Sequence, residues 1–255
     1  MLSPILKSFH DRTYVLTIES AVERHENVRT QLGEGNFEFL FGVDKETVTK
    51  EGFVEAGVYD EERAIRSDPK DRAMTLGHIC CALGHRMIYE RMLESDCQRA
   101  LIFEDDVVDL GIEDETIVAA IENLPPDWEL IYWGWSGGRF KPLLGGLQQM
   151  IFHIRYVLGM YKFNHRMIRN LYMRPYNEYF DRSSVNFLLH SYSITRSAAE
   201  TLVKWNTPIT MNSDHAAIHA VLDGDIRAYV SRKQFFGQRS FDPQDPLESM
   251  TQKYY

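Results

Sequence analysis

The sequence predicts an α/β fold with a mostly parallel central sheet flanked by helices. Short apolar runs recur at 14–18, 37–41, 100–103 and 128–133, and segments with helical apolar spacing lie between them. Strands that alternate with helices imply parallel pairing through crossovers. At 255 residues and 44% hydrophobic, the chain is long enough to bury one large core, so it is read as one domain over 1–255.

In order, Tyr14-Val-Leu-Thr-Ile18 is a β-branched apolar run after a polar turn, and Ser20 to Leu32 is a polar helix. Phe37-Glu-Phe-Leu-Phe41 follows the breakers Gly33 and Gly35 as a second strand. Residues 44–72 are charge-rich, which suits a long surface excursion. Leu76, Ile79, Leu83 and Met87 then recur at helical spacing, predicting a packed helix to about Glu94. The apolar run 100–103 is the next strand, followed by a helix near 113–123 and a break at Pro125-Pro126. Trp128 to Trp133 is a buried strand that runs into a Gly-rich turn, 134–138. His190 to Thr195 leads into a helix around 197–204, and Asn212-Ser-Asp-His215 leads into another, to about 222. The polar residues from Phe241 onward, with two prolines, read as a loosely held tail.

A net charge of −9 and a pI near 5.5 argue against nucleic acid held by bulk electrostatics. Three cysteines, two of them adjacent, make no disulfide framework and point to a reducing compartment. The start lacks a long apolar core with a small-residue cleavage site, and no run approaches about 18 uncharged apolar residues. These features suit a cytoplasmic protein. One region is basic: over 151–182, Arg155, Lys162, Arg166, Arg169, Arg174 and Arg182 are interleaved with tyrosines and Phe163. Aromatic faces stack on sugars and arginines pair with phosphates, so the segment suits an acceptor-side insertion or a peripheral contact at the inner face of a membrane, with ordinary helices carrying solvated arginines and buried tyrosines as the equally weighted alternative.

The stretch Arg99-Ala-Leu-Ile-Phe-Glu-Asp-Asp-Val-Val108 crowds three carboxylates where an apolar strand ends. Neighbouring acids repel and resist desolvation, so the cluster is either a solvated turn or a site for a divalent cation. In an extended segment Glu104 and Asp106 share a face while Asp105 points away. Hard oxygen donors suit Mg²⁺ or Mn²⁺, and ligands of open sheets sit at the carboxyl ends of strands. A zinc site on the helix face of His78, Cys81 and His85 is a weaker reading. At about 1.5 Å rise per residue the two histidines stand roughly 10 Å apart, too far for one ion, so a hydrogen-bonded core His85 is expected.

Several segments, in order, resemble glycosyltransferase family 25, which includes lipopolysaccharide and collagen galactosyltransferases. Tyr14-Val-Leu-Thr-Ile-Glu19 with Arg24 resembles the family's opening strand and helix, and Phe39-Leu-Phe-Gly-Val-Asp44 its "avdg" strand end. His78-Ile-Cys-Cys-Ala-Leu-Gly-His85 resembles its helix signature E-I-G-C-A-x-S-H, departing from it at His78, Cys80 and Gly84. Leu101-Ile-Phe-Glu-Asp-Asp106 resembles its "LILEDD" strand, and Ser191 to Ala198 with Pro208 through Asp214 its later segments. The likeness runs over residues 13–240.

The resemblance implies a GT-A fold, a Rossmann-like nucleotide-sugar domain whose acidic motif holds Mn²⁺ or Mg²⁺ on the diphosphate of a UDP-sugar. On that reading Asp106 coordinates the ion, Glu104 binds it through water or meets the donor ribose, and Asp105 supports both. Ile18, Glu19, Arg24 and Asp44 map to the nucleotide side, where Arg24 either pairs with a phosphate or lies on a helix surface. Gln238 resembles the family's C-terminal glutamine and borders the donor. His190, His215 or His219 is placed to approach the ion from the far side. Asp214 is the expected catalytic base of an inverting transfer, with an N-cap as its structural alternative. The implied activity moves a hexose, galactose or glucose, to lipopolysaccharide or another surface or lipid-linked glycan. A metal-dependent phosphohydrolase or nuclease and a non-catalytic nucleotide- or glycan-binding relative are the competing classes.

Overall fold

The computed structural model describes residues 1–68 and 70–241, so the predicted tail beyond Phe241 lies outside the described residues. Among the described residues the strands are β1 (Arg12–Thr17), β2 (Glu38–Phe41), β3 (Arg99–Glu104), β4 (Val107–Asp109), β5 (Leu130–Gly137), β6 (Arg174–Pro175), β7 (Phe180–Arg182), β8 (Asn186–Thr195), β9 (Ala228–Ser231) and β10 (Phe236–Gln238). The α-helices are α1 (Pro4–Phe9), α2 (Val22–Leu32), α3 (Lys50–Glu55), α4 (Glu61–Ser67), α5 (Leu76–Leu93), α6 (Asp114–Glu122), α7 (Gly145–Val157), α8 (His165–Arg169), α9 (Arg196–Trp205) and α10 (Ser213–Asp223).

Eight strands form one sheet in the order β2-β1-β3-β8-β5-β9-β7-β6, and β10 pairs with β4 in a separate ladder. The expectation of a mostly parallel sheet is corrected. β1 is parallel to β2 and β3, and β5 to β9, but β8 runs antiparallel between β3 and β5, and β7 is antiparallel to β6 and β9. The cause is where the chain re-enters. Residues 138–185 leave β5 at its carboxyl end and return at the same edge, where Asn186 pairs with Gly137, so β8 must run backward.

Both faces of the sheet are covered, which explains the unbroken apolar runs in its central strands. Tyr14, Ile102, Leu130 and Tyr132 pack with Ile88 and Tyr89 of α5, Leu202 of α9 and Ala217 of α10. The alternate residues Val15, Leu101, Phe103, Ile131 and Trp133 pack with Leu6 of α1, Val28 and Leu32 of α2 and Ile117 of α6. Two local expectations change. The stretch 44–72 is not only a surface excursion, because it forms α3 and α4 and buries Tyr59 and Ala64 against Ile79 and Ile209. The Gly-rich stretch 134–138 continues β5 through register shifts instead of turning at once. At Gly134 a Cβ would stand 2.1 Å from His190 Nε2 and 2.5 Å from the Phe236 carbonyl oxygen, so glycine is what lets β8 and β10 close on this strand.

Candidate functional site

The carboxyl edge of β1 and β3 opens onto a cavity of about 490 Å³, walled by the 42–46 loop, the first turns of α5, the start of α10, and Gln238 with Ser240. Ile18, Arg24, Asp44, Glu104, Asp105, Asp106, Asp214 and Gln238 all line it. Glu19 is exposed and is not part of the lining.

β3 ends at Glu104, Asp105 and Asp106 form a turn, and the chain resumes as β4. The acids are thus not in an extended run, yet the turn separates them as alternation would. Glu104 and Asp106 both accept from the Gln238 amide, whose Nε2 lies 3.2 Å from Glu104 Oε2 and 3.3 Å from Asp106 Oδ1. Asp105 faces the other way, accepting from Thr17 Oγ1 at 2.7 Å and Arg24 Nη1 at 2.5 Å. Asn27 Nδ2 straps the turn by donating to the carbonyls of Asp105 and Val107, each at 3.1 Å. The β4–β10 ladder pairs Gln238 with Val107, which sets its amide over the acids. Just beyond, the Ser240 hydroxyl donates to Asp106 Oδ2 and the Arg239 N–H to the Asp106 carbonyl at 2.7 Å.

Behind Glu104 stands a buried chain of hydrogen bonds. His85 Nε2 lies 3.2 Å from Glu104 Oε1, its Nδ1 lies 2.8 Å from the Tyr192 hydroxyl, and that hydroxyl lies 3.0 Å from the Tyr89 hydroxyl. His85 is fully buried, as a core histidine should be, but its partner is the acidic cluster itself.

The charges are strongly perturbed. Burial, then repulsion from Glu104, pushes the Asp106 carboxyl up to about 6. Burial also raises Asp105, outweighing the opposing pull of Arg24 and the Thr17 hydrogen bond. For Glu104 the largest effect, burial, is upward, but the hydrogen bond and charge of His85, with His190 and Arg24, hold it below its usual value. The site therefore carries like charge that the protein has only partly neutralised.

Among the described residues, Cys81, His85 and Glu104 bring ligand atoms within 4.8 Å of one another. This set suits a soft metal poorly. Burial pushes the Cys81 thiol well above its usual value, which keeps it protonated, and both His85 ring nitrogens are already engaged. The oxygen pair Glu104 and Asp106 is the better match to a hard dication. Among the described residues, two buried polar atoms near it, Gln238 Oε1 and His190 Nδ1, have no hydrogen-bond partner.

Arg24 is tied to Asp105 with its side chain only 11% exposed, so it braces the acidic turn from the cleft wall. Asp44 caps the turn at 45–47, and hydrogen bonds from Ser20 and the Glu46 N–H hold its carboxyl below the usual range. Asn212 occupies the N-cap position of α10 without a side-chain cap bond, while Asp214, in the first turn, accepts from the neighbouring His215 N–H at 2.8 Å. Of the three histidines, His215 lines the cleft, and His190 sits buried with Nε2 3.3 Å from the Phe236 carbonyl. His219 packs instead on Phe163 and Trp205. Thr17, Asn27, Tyr192 and Ser240 are parts of the site that the sequence reading did not single out. Ser240 was accessible by its two-residue spacing from Gln238; Asn27 and Tyr192 carry no signal that separates them from ordinary helix and strand residues. Leu188, which lines the cleft, adopts φ of +72°, a backbone region that non-glycine residues rarely occupy.

A family profile described as Glycosyltransferase family 25 (LPS biosynthesis protein) matches residues 10–217, leaving Gln238 and Ser240 beyond the matched stretch. No curated protein matches the chain. Among solved structures, the chain is similar to "Crystal Structure of A197 from STIV", with 11% identity, a TM-score of 0.37, and 86% of this chain and 81% of that one covered.

Proposed function

Because the chain belongs to glycosyltransferase family 25, we propose that it transfers a hexose, galactose or glucose, from a UDP-sugar to a glycan acceptor such as lipopolysaccharide, with a divalent ion in a GT-A-like site. The observation that carries this reading is the convergence of Glu104 and Asp106 on one cavity that also exposes Asp214. Their only partly neutralised repulsion and hard oxygens suit Mn²⁺ or Mg²⁺. When bound, the ion supplies charge neutralisation for the departing nucleoside diphosphate.

The chain's own residues divide the remaining work. Asp106 and Glu104 offer the oxygen ligands. His85, fixed by Tyr192, orients Glu104, and Arg24 with Thr17 locks Asp105 so that the turn holds its shape. Ile18 and Asp44 border the nucleotide side of the cavity. Asp214 accepts the proton of the acceptor hydroxyl as that oxygen bonds to the anomeric carbon and the bond to the diphosphate oxygen breaks, which inverts the anomeric centre. Its carboxylate lines the cavity and accepts a local hydrogen bond from the His215 N–H, which leaves it facing the space an acceptor would enter.

The test compares the parent with Asp106→Ala and Asp214→Asn in a UDP-hexose turnover assay with Mn²⁺, alongside donor binding by thermal shift. Both variants are expected to lose turnover, and only Asp106→Ala to lose most donor binding. Retained turnover in either would overturn its assigned role. Release of inorganic phosphate without sugar transfer would favour a phosphohydrolase instead.

A further inference from the structure

Helix α7 has two faces, and only one has a partner. Gln149 donates to the Ile168 carbonyl at 2.7 Å, Phe152 stacks on Tyr161 with ring centroids 4.6 Å apart, and Tyr156 and His153 meet His165. These positions, spaced at three, four and seven, seat the helix on α8 and the following loop. The opposite stripe, Leu147, Met150, Ile151, Ile154 and Val157, is 45 to 72% exposed. Leu143 and Leu144 before the helix, and Leu158 and Met160 after it, are exposed as well. A contiguous patch of this kind on a soluble face marks a contact site.

The charge around the patch indicates what covers it. From Arg139 to Asn177 the sequence holds seven lysines and arginines and no aspartate or glutamate, within a chain whose net charge is −9. An apolar helical stripe set in a purely cationic segment is complementary to a surface that is anionic and oily at once. At about 1.5 Å per residue, the 13 residues of α7 run for roughly 20 Å, short of the ~30 Å of a bilayer core. No helix among the described residues is long and apolar enough to cross a membrane. We propose that α7 lies in the plane of an anionic lipid bilayer, its Leu147–Met150–Ile151–Ile154–Val157 stripe inserted among the acyl chains and the flanking cations, Arg139, Lys141 and Arg155 among them, at the headgroups. This surface is separate from the acidic cavity and stands whatever sugar the protein transfers.

The experiment is vesicle flotation of the full chain, comparing phosphatidylcholine alone with phosphatidylcholine containing roughly one-third phosphatidylglycerol, in low and high salt. Each is repeated with the double variant Leu147→Glu, Ile154→Glu. Both residues are exposed, so the fold should survive, and UDP binding with Mn²⁺ serves as the check that it does. The parent should float with anionic vesicles at least about tenfold more than with neutral ones, lose part of that binding in high salt, and lose nearly all of it in the double variant. Equal flotation of parent and variant would overturn the proposal. So would failure of the parent to float together with a concentration-dependent dimer, seen by sedimentation, that the variant abolishes, since the stripe would then cover a second copy. Loss of UDP binding in the parent would count against the donor reading and leave the membrane result standing.

Discussion

Asp106 links the charge of the site to pH in a way that can be measured with the metal alone. Its carboxyl is raised from an ordinary 3.8 to about 6, first by burial and next by Glu104. At about 1.36 kcal/mol per pH unit, this is a penalty on the ionised form of about 3 kcal/mol. A folded-state value above the unfolded one favours folding of the metal-free protein below about pH 4, and that contribution is lost as pH rises through about 6. On the proposed reading a dication would reverse the balance, because it would bind the ionised carboxylate and compete with the proton. At pH 5 roughly one-tenth of Asp106 is ionised, so Mn²⁺ should bind about tenfold more weakly than at pH 7, with a plateau above pH 7. Titration calorimetry with MnCl₂ from pH 5 to 8 reads this directly. Glu104→Gln removes the second-largest cause of the shift, so it should weaken binding at pH 7 while moving the pH midpoint downward. An affinity that is flat between pH 5 and 7 in the parent, or a midpoint unmoved in Glu104→Gln, would refute the electrostatic argument.

Two further outcomes concern the frame that holds the site. His10 is buried between the Leu6 carbonyl and the Ser193 hydroxyl, and burial lowers its value to about 4. Its stability contribution is therefore full above about pH 6.5 and is lost as pH falls through about 4, a change of about 3 kcal/mol that urea unfolding at pH 7 and 4.5 should partly register and that His10→Gln should flatten. Gly134→Ala places a methyl against His190 Nε2 and the Phe236 carbonyl, so it should cost at least about 1–3 kcal/mol by thermal unfolding and, by displacing β10 and Gln238, weaken Mn²⁺ binding too. Unchanged stability in that variant would show that β8 and β10 are not packed as closely as described.

The alternation of apolar runs with helical segments was enough to locate β1, β2, β3 and β5 and the helices α2, α5, α6, α9 and α10, because those segments bury one face or two whatever their direction; β8 and β9 were not read as strands. The crowding of Glu104, Asp105 and Asp106 was legible for the same reason: charge at the end of a buried strand is unfavourable unless something answers it. Strand direction was not legible. β8 runs backward because Asn186 returns at the edge where Gly137 leaves, and that depends on the path of residues between them and not on the composition of either strand. Nor could the sequence show that His85 braces Glu104, that Gln238 bridges two acids more than 130 positions before it, or that Arg24 answers Asp105. Local pattern reports burial and propensity, which a residue carries along the chain. Pairing of charges across the cleft is a matter of distance in space, and only the closed fold sets it.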